Sequence, residues 1–470
     1  MRHFHAMKPI KLSRKRLCSL AATVVLTAVF VNLSAQRAPV YSAARSSRAA
    51  KPASSASPVY ARDIAPIVLH ACASCHQPGT AAPFSLLTYD DVKKRAPQIA
   101  ELTRTRYMPP WLPKPGHGDF AGVRRLSDGQ IRMIANWVKA GAPEGPHISQ
   151  RTPARPQKTW PLGRPDLVVR MTQPFTLNAG DVEQCRSFLF PRFLIRDRAL
   201  KAVDYRASAP GVVRHASLFA DSTRKARLQQ QQSGAVGWTD FPGSAGPGRR
   251  RLGEWAVGSP PVQFPKGSAM RLAPGDDLVL QLRFQPNGRQ ENERSEIALY
   301  FSDAPLPPPA MLALGNAWIN LRPNEIATVT DAFTLPVAAR LYAISPHAEL
   351  MCRAIRADAT LPNGAAQPLL WIPNFNLDWA EPLRYRAPMD LPAGTRITVT
   401  IDYDNSAHNP RNAEDTPMVS GAATGCTDEY AGVEFQITAL QPRDIPALSQ
   451  ALAAKGATYT VQSSGATGHG

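Results

Sequence analysis

Cys72-Ala73-Ser74-Cys75-His76 is a C-x-x-C-H motif. Two thiols on one helical turn can each add to a haem vinyl group. The next residue, His76, then falls under the iron as proximal ligand. A redox dithiol and half a zinc site share this spacing. No second Cys pair lies nearby, and the αβ context of a redox dithiol is absent. Cys72, Cys75 and His76 are therefore read as a covalent c-type haem site, with one haem expected. Met108 is the expected sixth ligand. It stands in Tyr107-Met108-Pro109-Pro110-Trp111, where a Pro-rigid loop pins a thioether against iron and so raises the reduction potential. Met133 lies inside an expected helix and is read as packing. His117 and an open position are the alternatives.

Helices must position these groups. Ile64, Ile67, Val68 and Ala71 lie at helical spacing just ahead of the motif. Ser127-Asp128 opens a second helix, through Ile131, Ile134, Ala135 and Val138, as an N-cap signal. Gly141 and Pro143 stop it. Residues 58–147 are expected to form a small all-α domain. Asp63 through Glu144 resembles the cytochrome c domains of exported bacterial multidomain proteins.

The rest of the chain reads as β. In Asp277–Phe284, Leu278, Leu280, Leu282 and Phe284 alternate with Val279, Gln281 and Arg283. In Arg396–Tyr403, Ile397, Val399, Ile401 and Tyr403 alternate with polar residues. Period two with a polar partner face indicates half-buried antiparallel strands. Pro/Gly turns between many short strands argue for sandwiches or jelly rolls. The expected divisions are a signal peptide at 1–35, a flexible tether at 36–57, the helical domain at 58–147 and a linker at 148–163. A β domain at 164–303, a Pro-rich hinge at 304–310, a second β domain at 311–440 and a frayed tail at 441–470 follow.

From about residue 160 the chain resembles the copper type II, ascorbate-dependent monooxygenase family, which is peptidylglycine monooxygenase-like. Gly211–Phe219, Gly253–Gly288, Ser345–Met351 and Asp402–Pro410 carry the resemblance. It implies two consecutive eight-stranded jelly-roll-like sandwiches, each giving one copper to a shared cleft. The fold class expected is thus multidomain α + β: a small all-α cytochrome c domain followed by two antiparallel jelly-roll-like β-sandwich domains. The family's ligands carry over poorly. Its His-His pair falls on Arg214-His215, its distant His on Arg283, its His-x-His on His347-Ala-Glu349, and its Met near Tyr430. Arginine stays protonated and has no lone pair to give, so copper is not expected. His347 and Glu349 lie two apart on an expected strand and point the same way. They form either a site for a harder metal or a polar cluster. Arg214 and Arg283 form an anion pocket or pair with carboxylates. The resemblance also brings Cys426 beside the His347 strand, which implies a Cys352–Cys426 disulfide and leaves Cys185 outside a bridge.

The compartment follows from the N-terminus. Arg2, Lys8, Lys11, Arg14, Lys15 and Arg16 precede an apolar run from Leu17 to Leu33, with Ala35 as cleavage point. That is the layout of a secretory signal peptide, with an uncleaved anchor as the alternative. Cys18 stands at the beginning of the apolar run and not at its end, which does not support lipid modification. The segment holds six of the 54 basic residues, so a third of the +18 net charge belongs to the address. The 45 Pro among 470 residues argue against long coiled coils and helical arrays. Basic stretches at Arg224, Lys225 and Arg227 and at Arg249–Arg251 are read as loops, solvated or facing an acidic redox partner or membrane surface. Nucleic acid is not an expected partner. Three functions remain. The first is a periplasmic electron carrier, with a redox partner protein and a copper-free β platform. The second is a copper monooxygenase fed by the haem. The third is a binding protein with a sensory or structural haem.

Overall fold

A computed structural model describes residues 57–78, 80, 82–146, 159–190, 194–239, 248–304, 306–318, 321–409 and 430–465. The segment read as a signal peptide, nearly all of the expected tether, Cys18, most of the expected 148–163 linker and Cys426 lie outside these residues. Among the described residues no helix is long and apolar enough to cross a membrane.

Four short helices open the described chain: α1 (Ala65–Ala71), α2 (Tyr89–Lys94), α3 (Ala96–Arg104) and α4 (Asp128–Lys139). α4 starts where its cap signal predicts. Ser127 Oγ accepts from Gln130 N at 3.2 Å, and Gln130 Oε1 accepts from Ser127 N at 2.9 Å. That reciprocal pair satisfies two orphan donors and is worth about 1 kcal/mol. Ile64, Val68, Ile134 and Trp137 bury the apolar faces of these helices in one small core.

Strands follow in the order β1 (Leu167–Arg170), β2 (Phe175–Leu177), β3 (Gln184–Phe190), β4 (Arg198–Arg206) and β5 (Val213–Asp221). After helix α5 (Lys225–Ser233) come β6 (Arg249–Ala256), β7 (Val262–Gln263), β8 (Met270–Leu272), β9 (Asp277–Phe284), β10 (Glu291–Glu293) and β11 (Glu296–Ser302). One sheet runs β1-β11-β4-β7 with β8 on β4, another runs β3-β9-β5-β6, and β2 pairs with β10. Leu200, Ile297 and Leu299 of the first sheet meet Phe188, Leu218 and Leu280 of the second in a common core. Each such side chain contributes about 1.5–3 kcal/mol on burial.

The remaining strands are β12 (Ala310–Trp318), β13 (Ile326–Thr334), β14 (Ala339–His347), β15 (Cys352–Thr360), β16 (Ala366–Ile372), β17 (Leu383–Leu391), β18 (Arg396–Asp404) and β19 (Tyr430–Ala439). They form the sheets β12-β19-β14-β17 and β13-β18-β15-β16, which share a second core. Residues read as a frayed tail instead form helix α6 (Ile445–Gly465). Leu448 enters the second core, and Lys455 Nζ lies 2.5 Å from Asp331 Oδ1.

The expected fold class is overturned. The described chain is mostly β with few helices, and its strands form small antiparallel sheets of two to five strands. It is not a helical cytochrome domain followed by two eight-stranded jelly rolls. The helical segment and the sheets belong to one compact unit, Ala56–Gly470. Between α3 and α4 the chain runs irregularly onto the second β core. Lys114 N donates to Trp371 O at 2.7 Å, and Ala121 N donates to Arg384 O at 2.8 Å. Phe120 pairs with Tyr385, ring centroids 4.9 Å apart, and is buried in that core. Alternation marks a strand but does not name its partner.

Phe120→Ala should therefore loosen the joint between helices and sheets. The expected loss is about 3–5 kcal/mol in urea unfolding. A loss below about 0.5 kcal/mol, the scale of a surface change, would contradict this packing role.

Candidate functional site

α1 runs directly into the C-x-x-C-H motif. Cys72 N donates to Val68 O at 2.9 Å, and Cys75 N and His76 N both donate to Cys72 O, at 3.2 and 2.9 Å. This winds one further turn. Cys72, Cys75 and His76 thereby line a single cavity of about 390 Å³, and Met108 lies on it too. That volume falls in the roughly 300–1,000 Å³ range of cofactor sites.

The His76 ring packs against Phe84 at 4.7 Å between centroids, and its Nδ1 lies 3.2 Å from Phe84 O. A carbonyl only accepts, so Nδ1 carries the hydrogen and Nε2 keeps its lone pair. Burial lowers the imidazole pKa, a pull that the Phe84 hydrogen bond partly offsets. The ring is thus neutral at physiological pH and able to ligate. Cys72 and Cys75 are both thiols. Burial, with Cys75 adding, pushes Cys72 up to about 12, and burial also raises Cys75. A redox dithiol needs a readily formed thiolate, so these surroundings oppose that alternative. The two thiols, the neutral imidazole and the thioether fit the demands of a c-type haem.

Met108 N donates to Leu102 O at 3.1 Å, which ties the Pro-rich loop to the end of α3. The two competing ligands lie off the cavity. Met133 is 37% exposed on α4, and His117 packs edge-on against Trp371 at 5.0 Å.

The β region supplies the rest of the wall through Arg214, Val257, Gln285, Asp378 and Trp379. Gly258 has φ +86°, and a Cβ there would lie 2.5 Å from Cys75 Sγ. Only glycine lets this loop close over the thiol. Arg124, also on the cavity, pairs with Glu381 at 2.5 Å. Nothing in the spacing of these residues links them to the motif, and the sequence reading placed none of the β residues at the haem.

The positions aligned with copper ligands separate. Arg283 pairs with Glu183, while Arg214 Nε donates to the neutral Gln285 Oε1 at 2.5 Å. The two arginines therefore do not form a common anion pocket. β14 ends at His347, so Glu349 lies beyond the strand and does not share its face. The carboxylates beside His347 are instead Glu254, 3.4 Å from Nδ1, and Glu434, 3.7 Å from Nε2. Arg251 bridges both, with its closest contact to Glu254. Tyr430 opens β19, its backbone paired with Trp318. Among the described residues no three His, Cys, Asp or Glu side chains converge as metal ligands. Two arginines at ligand positions do not fit copper.

A second cavity of about 460 Å³ adjoins this cluster, lined by Arg251, Glu254, Glu434, Arg384, Met270 and Met311 among others. The disulfide reading is corrected as well. Cys352 is a buried thiol whose Sγ lies 3.8 Å from Ala354 O, whereas Cys185 is disulfide-bonded. The basic stretches are not loops for the most part, although Arg224 and Lys225 are exposed and Arg224 only caps a helix. Lys225 and Arg227 lie in α5 and Arg249–Arg251 in β6, where Arg227 pairs with Asp277 and Arg250 with Asp276 at 2.6 Å.

No family model matches the chain, and no curated protein does. Among solved structures, PNGF-II in its P21 space group overlaps at TM-score 0.24 and 11% identity, over 57% of this chain and 65% of that one. The C2 form of PNGF-II gives 0.22 and 9%, over 57% and 64%. The chain thus spans just under two thirds of the PNGF-II chains. A subviral particle of infectious bursal disease virus VP2 gives 0.10 and 10%, over 60% and 83%. Overlaps this loose carry no argument about fold or function.

Burial pushes His215 down to about 3, with His347, Arg251 and Arg283 adding. Unfolded, a histidine takes its proton near pH 6.5. The folded state refuses that proton, so stability falls as pH drops from about 6.5 toward 3. Burial raises Glu434, but Arg251 and His347 outweigh it and hold the carboxyl at about 2. Its stabilisation is present above the ordinary carboxylate range and is lost below it. His215→Gln should flatten the fall in urea midpoint between about pH 6.5 and 4.5. An unchanged slope in that window would contradict the burial of an uncharged His215.

Proposed function

We propose that this chain is an exported c-type haem protein that carries single electrons. The observation behind this reading is one cavity that joins Cys72, Cys75, His76 and Met108. Cys72 and Cys75 would hold a haem by thioether bonds, each S–H adding across one vinyl double bond with its hydrogen going to the other vinyl carbon, so that no oxidant would be consumed. A haem held there supplies a one-electron iron couple, at the raised potential that His/Met ligation gives. His76 offers Nε2 because Phe84 holds its Nδ1 hydrogen. Met108 offers a sulfur from a loop tied to α3. Phe84, Leu86, Ile99 and Leu102 line the cavity and keep water from it.

This reading places the protein in the periplasm, delivered by its N-terminal segment, where covalent haem attachment follows export. A redox partner protein donates or accepts the electron. Membrane contact is confined to the N-terminal segment if that segment stays uncleaved, and nucleic acid and copper have no part. The cavity of about 460 Å³ favours one second reading, a ligand-binding protein with a sensory or structural haem.

The test is periplasmic maturation in a host that attaches haem, followed by pyridine haemochrome analysis of denatured protein. One haem per chain is expected, and none in a Cys72→Ala, Cys75→Ala double variant. No retained haem in the native sequence would overturn the proposal. Met108→Ala should abolish the sulfur-to-iron charge-transfer band of the oxidised protein. Persistence of that band would remove Met108 as ligand.

A further inference from the structure

β5 and β9 pair in register except between Val213 and His215, where the ladder shifts. Arg214 sits in that bulge. A bulge re-aims a side chain that would otherwise follow the pleat. His215 lies near His347 and Arg251, whereas Arg214 lines the cavity that holds the C-x-x-C-H motif. The Arg214 side chain donates to a neutral oxygen, Gln285 Oε1, and among the described residues no carboxylate pairs with it. Arg124 lines the same cavity. Glu381 takes one of its Nη atoms, but Nε is buried with no hydrogen-bond partner. Burying an unmet donor is costly. Two guanidinium groups with unused donors thus flank one cavity, which is the chemistry of a carboxylate receptor.

We propose that Arg214 and Arg124 receive the haem propionates, so that the β region completes the haem site. The inference rests on the haem reading above. It gives a role to Arg214, which stands where the resembling copper family has a histidine. The charge withdrawn from copper chemistry serves the neighbouring cavity. Arg214 and Arg124 are binding residues here, with Gln285 and Glu381 holding one edge of each fork.

The experiment uses the full chain matured in the periplasm. Haemochrome analysis of denatured protein comes first, and absence of covalent haem in the native sequence would sink the haem reading itself. With haem present, midpoint potentials are compared for the native protein, Arg214→Gln and Arg271→Gln. Arg271 is an exposed control paired with Asp197. The oxidised haem carries one more positive charge than the reduced haem, so loss of a nearby cation stabilises the oxidised state relative to the reduced one. Arg214→Gln should lower the potential by at least tenfold in the redox equilibrium, which is 59 mV for one electron, and Arg271→Gln should change it less than twofold. A change below twofold in Arg214→Gln, with haem content intact, would overturn the inference. Should that variant fail to fold, Arg214→Lys keeps the charge but loses the planar fork. Its propionate bending mode in resonance Raman should then shift, and an unmoved mode would overturn the inference.

Discussion

One hydrogen bond, from Nδ1 of His76 to the Phe84 carbonyl, decides whether the C-x-x-C-H motif can ligate a metal. It fixes the tautomer, so the lone pair sits on the opposite nitrogen. It also sets the ring plane, because Phe84 packs on the same imidazole. Leu86 N donates to His76 O at 2.9 Å, which returns the following loop to the motif. Burial keeps the ring neutral and the two thiols protonated. The same enclosure thus disfavours a redox dithiol and suits an uncharged imidazole beside protonated thiols.

The enclosure is built by distant parts of the chain. The helices supply the motif and Met108, and the β region closes the cavity with Val257, Arg214 and Trp379. The segment between α3 and α4 leaves the helical core and pins Phe120 in the second β core. Gly258 lies too close to Cys75 Sγ to carry a Cβ. A helical unit cut away from the sheets would lose one wall of its cavity. On the far side of β5, His215 belongs to a separate polar group around Arg251, Glu254, His347 and Glu434, which is balanced by its own charges.

Some of this was legible in the sequence for physical reasons. The C-x-x-C-H motif is local, and its chemistry depends on a single turn. The Ser127 cap fixed the start of α4, and period two fixed β9 and β18. What was not legible depends on contacts across hundreds of residues. Strand partners, the width of each sheet and the joining of helices to sheets follow from tertiary packing, which alternation does not encode. His347-x-Glu349 suggested a shared face, but β14 ends at His347 and the carboxylates come from β6 and β19. Arg214 gave no local sign of the bulge in which it sits or of the cavity that it lines. The tail held too few charges to show a face, yet α6 docks through Leu448.

The central claim is that Cys72 and Cys75 are covalent anchors. Intact mass spectrometry of the periplasmically matured chain, under denaturing and reducing conditions, tests it most directly. The claim predicts a polypeptide heavier by the mass of one haem, with the added mass on the peptide that contains Cys72 and Cys75. A bare polypeptide mass, from a host that attaches haem to a control cytochrome in the same preparation, would contradict it.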